Sequence, residues 1–219
     1  MRAGGQSRKP HRALLWRNTA QTPAPVADQG ETAAHRHDRT HGLPRSSVFE
    51  TLYRNEAWGA IERGRGDRQA WLEAAHQALE ARAGGRALPP IHEEWRLSQR
   101  PIEPNLQLVR DLRGSHKLGI LSNADASLRG RLEGEIGIHD LFDDIVCSAE
   151  VGMAKPEPGI YTLAAGRLGL PPAQCVFVDD LDINVDAARG VGMQAVLFRV
   201  DKGDDLRAQL AALGVVPSR

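Results

Sequence analysis

The sequence predicts an α/β protein, a doubly wound parallel sheet with a small all-helical insertion near its N-terminus. Three observations predict it. From about residue 101 onward, helical stretches alternate with short strands that are apolar almost throughout, as in a sheet covered on both faces. Upstream, residues 42–100 carry only helical periodicity. The chain has 219 residues, enough for one core with an elaboration.

Residues 1–41 stand apart. They are rich in Arg, His, Ala, Thr, Gly and Pro, hold only three acids and contain four of the eight histidines. Such a segment buries too little surface to offset chain entropy, so it is expected to be largely disordered. Its one apolar cluster is "ALLW", Ala13 to Trp16, the candidate for a first core strand. Arg richness before Asp28 is also shared with organellar transit peptides.

In the helical block, Val48, Leu52, Trp58 and Ile61 mark one stripe. "DRQAWLEAAHQALEAR" opens on an Asp cap and carries Trp71, Ala75 and Leu79 at helical spacing. "GGRALPP" breaks it, and Ile91 to Leu97 makes a further helix. "RPIEPN" works as a hinge into the third segment, 101–219. There "NLQLVRDLRG" reads as a helix, "KLGILSN" as a strand, "ASLRGRLEGE" as a helix and "DIVCS" as a strand. "EPGIYTLAAGRLG" is a helix ending at a glycine, and "CVFVDD" is a strand. "INVDAARGVG" is a helix, "QAVLFRV" a strand and "DDLRAQLAAL" the closing helix.

Lys plus Arg and Asp plus Glu number 28 each, and that balance argues against a nucleic-acid or anionic-membrane partner. No apolar run approaches the ~20 residues that span a bilayer, and no signal-peptide core is seen. Two cysteines, Cys147 and Cys175, both in expected strands, argue against a disulfide framework and for a reducing cytoplasm. They read as small core residues. Trp58, Trp71 and Trp95 could line a pocket or pack between helices, and packing is favoured. His35, His37 and His41, in "HRHDRTH", could bind a transition metal, but the stretch lacks periodicity and cysteine, which favours a solvated tail.

Ligands in such sheets sit beyond the carboxyl ends of the strands, and three of those ends carry polar residues. "LGILSN" delivers Ser122 and Asn123, either an anion cradle at a helix start or simple caps. "GMAKPEP" delivers Lys155 before Pro156, an ammonium aimed by a rigid turn or a solvated surface charge. "VFVDDLDIN" delivers Asp179 and Asp180, with Asn184 one turn later. Two carboxylates ~5 Å apart at an effective dielectric of ~20 repel by roughly 3 kcal/mol, so a cation nearby would offset them. Hard oxygens beside a phosphate suit Mg²⁺; one cap and one solvated acid is the plainer alternative.

In the order Ser122, Lys155, Asp179-Asp180, these motifs resemble the haloacid dehalogenase (HAD) superfamily of Rossmann-like hydrolases. "GMAKPEPGIY" and "CVFVDDLDINVDAARGVGM" are especially similar to the subgroup with the epoxide-hydrolase phosphatase-like domain and sugar-phosphate phosphatases. The block at 43–99 is similar to that subgroup's cap. A response-regulator receiver places its acidic pair first, so the order here excludes it.

The resemblance implies a Mg²⁺-dependent phosphatase that acts on a small phosphorylated metabolite through an aspartyl-phosphate, as monomer or homodimer. Ser122 would bind a phosphoryl oxygen, Asn123 would help, and Lys155 would neutralise charge. Asp179 and Asp180 would hold Mg²⁺, and Asn184 would support the loop. Carbon–halogen hydrolysis is a variant that does not need the metal pair.

The resemblance also implies a first strand ending Asp-x-Asp, whose first acid attacks phosphorus and whose second protonates the leaving group. No Asp-x-Asp occurs in residues 1–41; Asp28 and Asp38 are isolated, and neither follows an apolar run. Aligning "ALLW" with that strand puts Arg17 in the nucleophile's place and Thr19 in the acid/base place. Some strand must fill the slot between "KLGILSN" and "CVFVDD". Burying four apolar residues there contributes roughly 6–12 kcal/mol, and Ala13 to Trp16 is expected to do it. Two origins fit: a non-catalytic phosphate-binding protein that lost its nucleophile, or a misassigned reading of residues 17–41, since shifted GC-rich codons yield this composition. Translating the upstream DNA in all frames separates them.

Overall fold

The computed structural model describes residues 13–16, 33–98 and 101–217. Five parallel strands form one sheet: β1 (Ala13–Trp16), β2 (Lys117–Ser122), β3 (Asp144–Cys147), β4 (Cys175–Asp179) and β5 (Gln194–Leu197). Their spatial order is β3-β2-β1-β4-β5, so β1 is central. Leu15 of β1 stands in register with Gly119 on one side and Phe177 on the other. The chain moves outward from β1 to β2 and β3, then crosses back to β4 and β5. The direction of winding therefore reverses between β1 and β4, the place where ligands bind in sheets of this kind.

Alternation along the strands splits the core in two. Leu15 and Phe177 point to one face, against Ile160, Tyr161 and Ala164 of α9 (Pro158–Arg167) and Ala188 of α10 (Asp182–Gly190). Leu14, Leu118 and Val176 point to the other, against Leu108, Val109 and Leu112 of α6 (Glu103–Leu112) and Leu206 and Leu210 of α11 (Leu206–Ala212). The period of two explains both the unbroken apolar runs and the need for helices on either side. Between β2 and β3, α7 (Leu128–Gly130) continues as a wider, π-wound turn through Arg131–Glu135. Gly130 and Gly134 weaken the regular helix expected there. A one-turn helix, α8 (Ser148–Val151), follows β3.

The helical block contains α2 (Ser47–Tyr53), α3 (Glu56–Ile61), α4 (Arg68–Arg82) and α5 (Ile91–Ser98). Asp67 caps α4, accepting from the N–H groups of Gln69 and Ala70. Val48, Leu52, Ile61, Trp71, Ala75, Leu79, Ile91 and Trp95 close a separate core, and the Trp71 indole N–H donates to the Leu52 carbonyl at 3.0 Å. Trp71 and Trp95 are thus packing residues.

Within residues 1–41 the structure departs from the composition-based reading at one described stretch, where α1 (Ala33–Thr40) is a helix. It packs on α2 and α5. Buried Asp38 holds it there, because its Oδ1 accepts from the Val48 N–H at 2.9 Å at the start of α2. Composition averages over such a contact. Among the described residues, no helix is long and apolar enough to cross a membrane.

Candidate active site

The loops after β2, β3 and β4 bring the polar residues together. Lys155, in the loop after α8, reaches across the sheet edge. Its ammonium donates to Asp179 Oδ2 at 2.6 Å and to the Leu121 carbonyl, next to Ser122, at 3.1 Å. The Lys155 and Asp179 side chains are 1% and 0% exposed. The ammonium also lies 5.3 Å from the centroid of the Phe177 ring, which adds a cation–π contact. A lysine so placed is a fixed charge, since two charges desolvated this far hold together only with good geometry and further hydrogen bonds.

Those further bonds are present. Asp179 Oδ1 accepts from the Leu181 N–H and the Asn184 side-chain amide, both at 3.0 Å. The Asn184 carbonyl accepts from the Tyr161 hydroxyl at 3.0 Å. Burial, with the Asp179 charge adding to it, pushes the Tyr161 phenol well above its ordinary range, so this hydroxyl remains a donor. Asn123 clasps the lysine's own backbone: the Lys155 N–H donates to Asn123 Oδ1 at 2.8 Å, and Asn123 Nδ2 donates to the Lys155 carbonyl at 2.9 Å. Ser122 is buried at the end of β2. Asp180 is exposed, one residue past the end of β4.

The two acids therefore differ. Among the described residues, Asp179 accepts from Lys155, Leu181 and Asn184. Asp180 stands on the solvent side of the same turn. Lys155 sets its positive charge against Asp179, while Asp180 presents its carboxylate on the exposed side. The carboxylate oxygens of the two acids are of the hard donor type that suits a divalent cation such as Mg²⁺, and Asp179 and Asp180 are the residues that would hold one.

The helical block leans over this edge. Arg63 donates to Glu157 Oε1 at 2.6 and 3.0 Å, and Arg68 Nε lies 3.4 Å from Asp125 Oδ2. Burial raises the Glu62 carboxyl above its usual range, opposed by the charge and hydrogen bond of Arg63 and by contact with Asn123. The Glu62–Asn123 contact and the Asn123 clasp carry no spacing signal, because each joins segments distant in the sequence.

Cys147 and Cys175 are buried free thiols, and burial pushes Cys147 up and Cys175 up to about 11. Neither is a thiolate nucleophile at neutral pH. Arg17 and Thr19 lie outside the described residues.

A family model described as haloacid dehalogenase-like hydrolase matches residues 11–192. The chain belongs to that family, whose members here include phosphatases. It is 31% identical over 132 residues to the fructose-1-phosphate phosphatase of Escherichia coli strain K12, covering 60% of this chain and 70% of the relative. It is 36% identical over 106 residues to a glyceraldehyde 3-phosphate phosphatase of Methanopyrus kandleri, covering 48% of this chain and only 45% of that relative. Among solved structures, a HAD family enzyme of Bacteroides thetaiotaomicron in complex with magnesium and inorganic phosphate superposes with a TM-score of 0.65 at 18% identity, over 91% of this chain and 98% of the other. The L-2-haloacid dehalogenase of Xanthobacter autotrophicus superposes with a TM-score of 0.59 at 19% identity, over 94% and 85%. At these identities the superpositions speak for the fold alone.

Proposed function

We propose that the chain is a Mg²⁺-dependent phosphatase-type hydrolase for a small phosphorylated metabolite, with its site at the carboxyl ends of β2 and β4. The observation that carries this reading is the buried Lys155–Asp179 pair at 2.6 Å, set beside Ser122 and the exposed Asp180. The named relatives support the substrate class, since both are phosphatases of small sugar phosphates.

In this reading Ser122 binds a phosphoryl oxygen and Lys155 supplies a fixed positive charge against the phosphoryl group. Asn123 holds the Lys155 backbone, and Asn184 holds Asp179, so the ammonium keeps its position as charge builds in the transition state. Without a cation, the Asp180 charge would repel a phosphate dianion. Mg²⁺, held by Asp180 with Asp179, would remove that repulsion and draw charge from the phosphoryl oxygens. The helical block serves as the cap that selects the substrate, and Glu62, facing Asn123, offers a carboxylate to the leaving group's hydroxyls.

The family chemistry passes through an aspartyl-phosphate on a carboxylate that follows the first strand. The residue after β1 is Arg17, which cannot form one. That residue favours a second reading, in which the same pocket binds phosphate without turnover. Hydrolysis of p-nitrophenyl phosphate with and without Mg²⁺ separates the two. Mg²⁺-dependent turnover that is lost in Asp179→Asn supports the phosphatase. Zero turnover alongside Mg²⁺-dependent phosphate binding supports the second reading, and neither turnover nor binding removes both.

A further inference from the structure

We propose that His37, His41 and Glu94 form a transition-metal site, best suited to Zn²⁺, that ties α1 to α5. The three residues each place one ligand atom so that all three atoms lie within 4.8 Å of one another. They are separate in sequence from the acids at the end of β4, and come from the first helix of this region and the last helix of the helical block.

The local fold sets the pair of imidazoles. His37 and His41 are four residues apart, and the His41 N–H donates to the His37 carbonyl at 3.1 Å, so the helical turn of α1 runs on through His41. Residues at that spacing share one face. The face is turned toward α5, against which α1 packs, and α5 supplies Glu94. His41 Nε2 stands 3.5 Å from Glu94 Oε2.

The distances suit a small tetrahedral ion. Bonds of about 2.0–2.1 Å to nitrogen and oxygen put neighbouring ligand atoms about 3.3–3.5 Å apart. The His41–Glu94 edge already has that length, and the remaining approach is within reach of side-chain rotation. Two imidazoles and one carboxylate match Zn²⁺, with water as the fourth ligand; Mg²⁺ and Ca²⁺ call for oxygen throughout. The His41 and Glu94 side chains are 17% and 45% exposed, so an ion can reach them.

An ion bound here would join the two chain passages that connect the helical block with the sheet. The test uses the full chain, stripped of metal with a chelator and titrated with Co²⁺ while visible absorption is followed, then with competing Zn²⁺. The expected result is one equivalent of Co²⁺ with an intense tetrahedral spectrum, displaced by Zn²⁺ and unchanged in Asp180→Asn. In His37→Ala, affinity should fall by more than the ~10–100-fold typical of losing an outer-shell partner. His37 is half-buried, so Glu94→Gln, whose side chain is 45% exposed, provides a second variant with the same expected loss, and circular dichroism verifies that each is folded. Binding that survives in folded Glu94→Gln, or an octahedral spectrum that disappears only in Asp180→Asn, would overturn the proposal.

Discussion

Lys155 and Asp179 make the most deeply buried ion pair among the described residues, its partners 24 residues apart. Each charge is tolerable only because the other is there. Lys155→Met should therefore lower unfolding stability by about 3–5 kcal/mol, read as a shift of the urea midpoint, and adding Asp179→Asn should recover most of it. A double variant as unstable as the single would contradict the pairing. This part of the site was legible, because a strand-end acid, a lysine before proline and a strand-end serine are residue types that can be recognised one by one. The difference between Asp179 and Asp180 was not legible. Two adjacent aspartates are identical in sequence, and only the end of β4, which buries one and exposes the other, separates them. The Asn123 clasp was likewise out of reach, since its partner is the backbone of a residue 32 positions away.

At the scale of elements, β1 is the piece on which the sheet depends. Four residues join two halves of the core, and Gly119 of β2 leaves room for it. A Cβ placed on Gly119 would lie 2.9 Å from Leu15 Cδ2 and 3.1 Å from Leu168 Cδ1. Gly119→Ala should therefore cost about 1–3 kcal/mol through overpacking, measured by thermal or denaturant unfolding. If Ala13–Trp16 did not lie against β2, the same change would be neutral or stabilising, because alanine suits a strand better than glycine. The strands and the helices α2 to α6, α9, α10 and α11 could be read from periodicity and caps. The helix α1 could not, because its place depends on contacts with α2 and α5, the buried Asp38 bond to Val48 among them, that no spacing announces.

At the scale of the whole molecule, the described contacts between the helical block and the sheet domain include charged pairs and one tightly fitted glycine. A Cβ on Gly64 would approach the Ala149 carbonyl to within 2.2 Å, and the residue's φ of +70° already favours glycine. Next to it, Arg63 holds the Glu157 carboxyl below its usual range. A depressed folded-state value means that the bridge stabilises the protein above the unfolded carboxyl's titration and loses that contribution as pH falls through the folded one. Thermal unfolding of the wild type and Glu157→Gln should differ at neutral pH and converge in acid, and added salt should narrow the gap. A gap independent of pH would mean that the bridge is not what Glu157 contributes. The central claim is that the edge beneath this block is a phosphate pocket completed by a divalent cation. Calorimetric titration of the full chain with inorganic phosphate, with and without Mg²⁺, tests it most directly. One phosphate per chain is expected in Mg²⁺, bound at least about tenfold more weakly without the ion or in Asp180→Asn, a difference of about 1.4 kcal/mol or more. Equal affinity with and without Mg²⁺, or no binding under either condition, would contradict it.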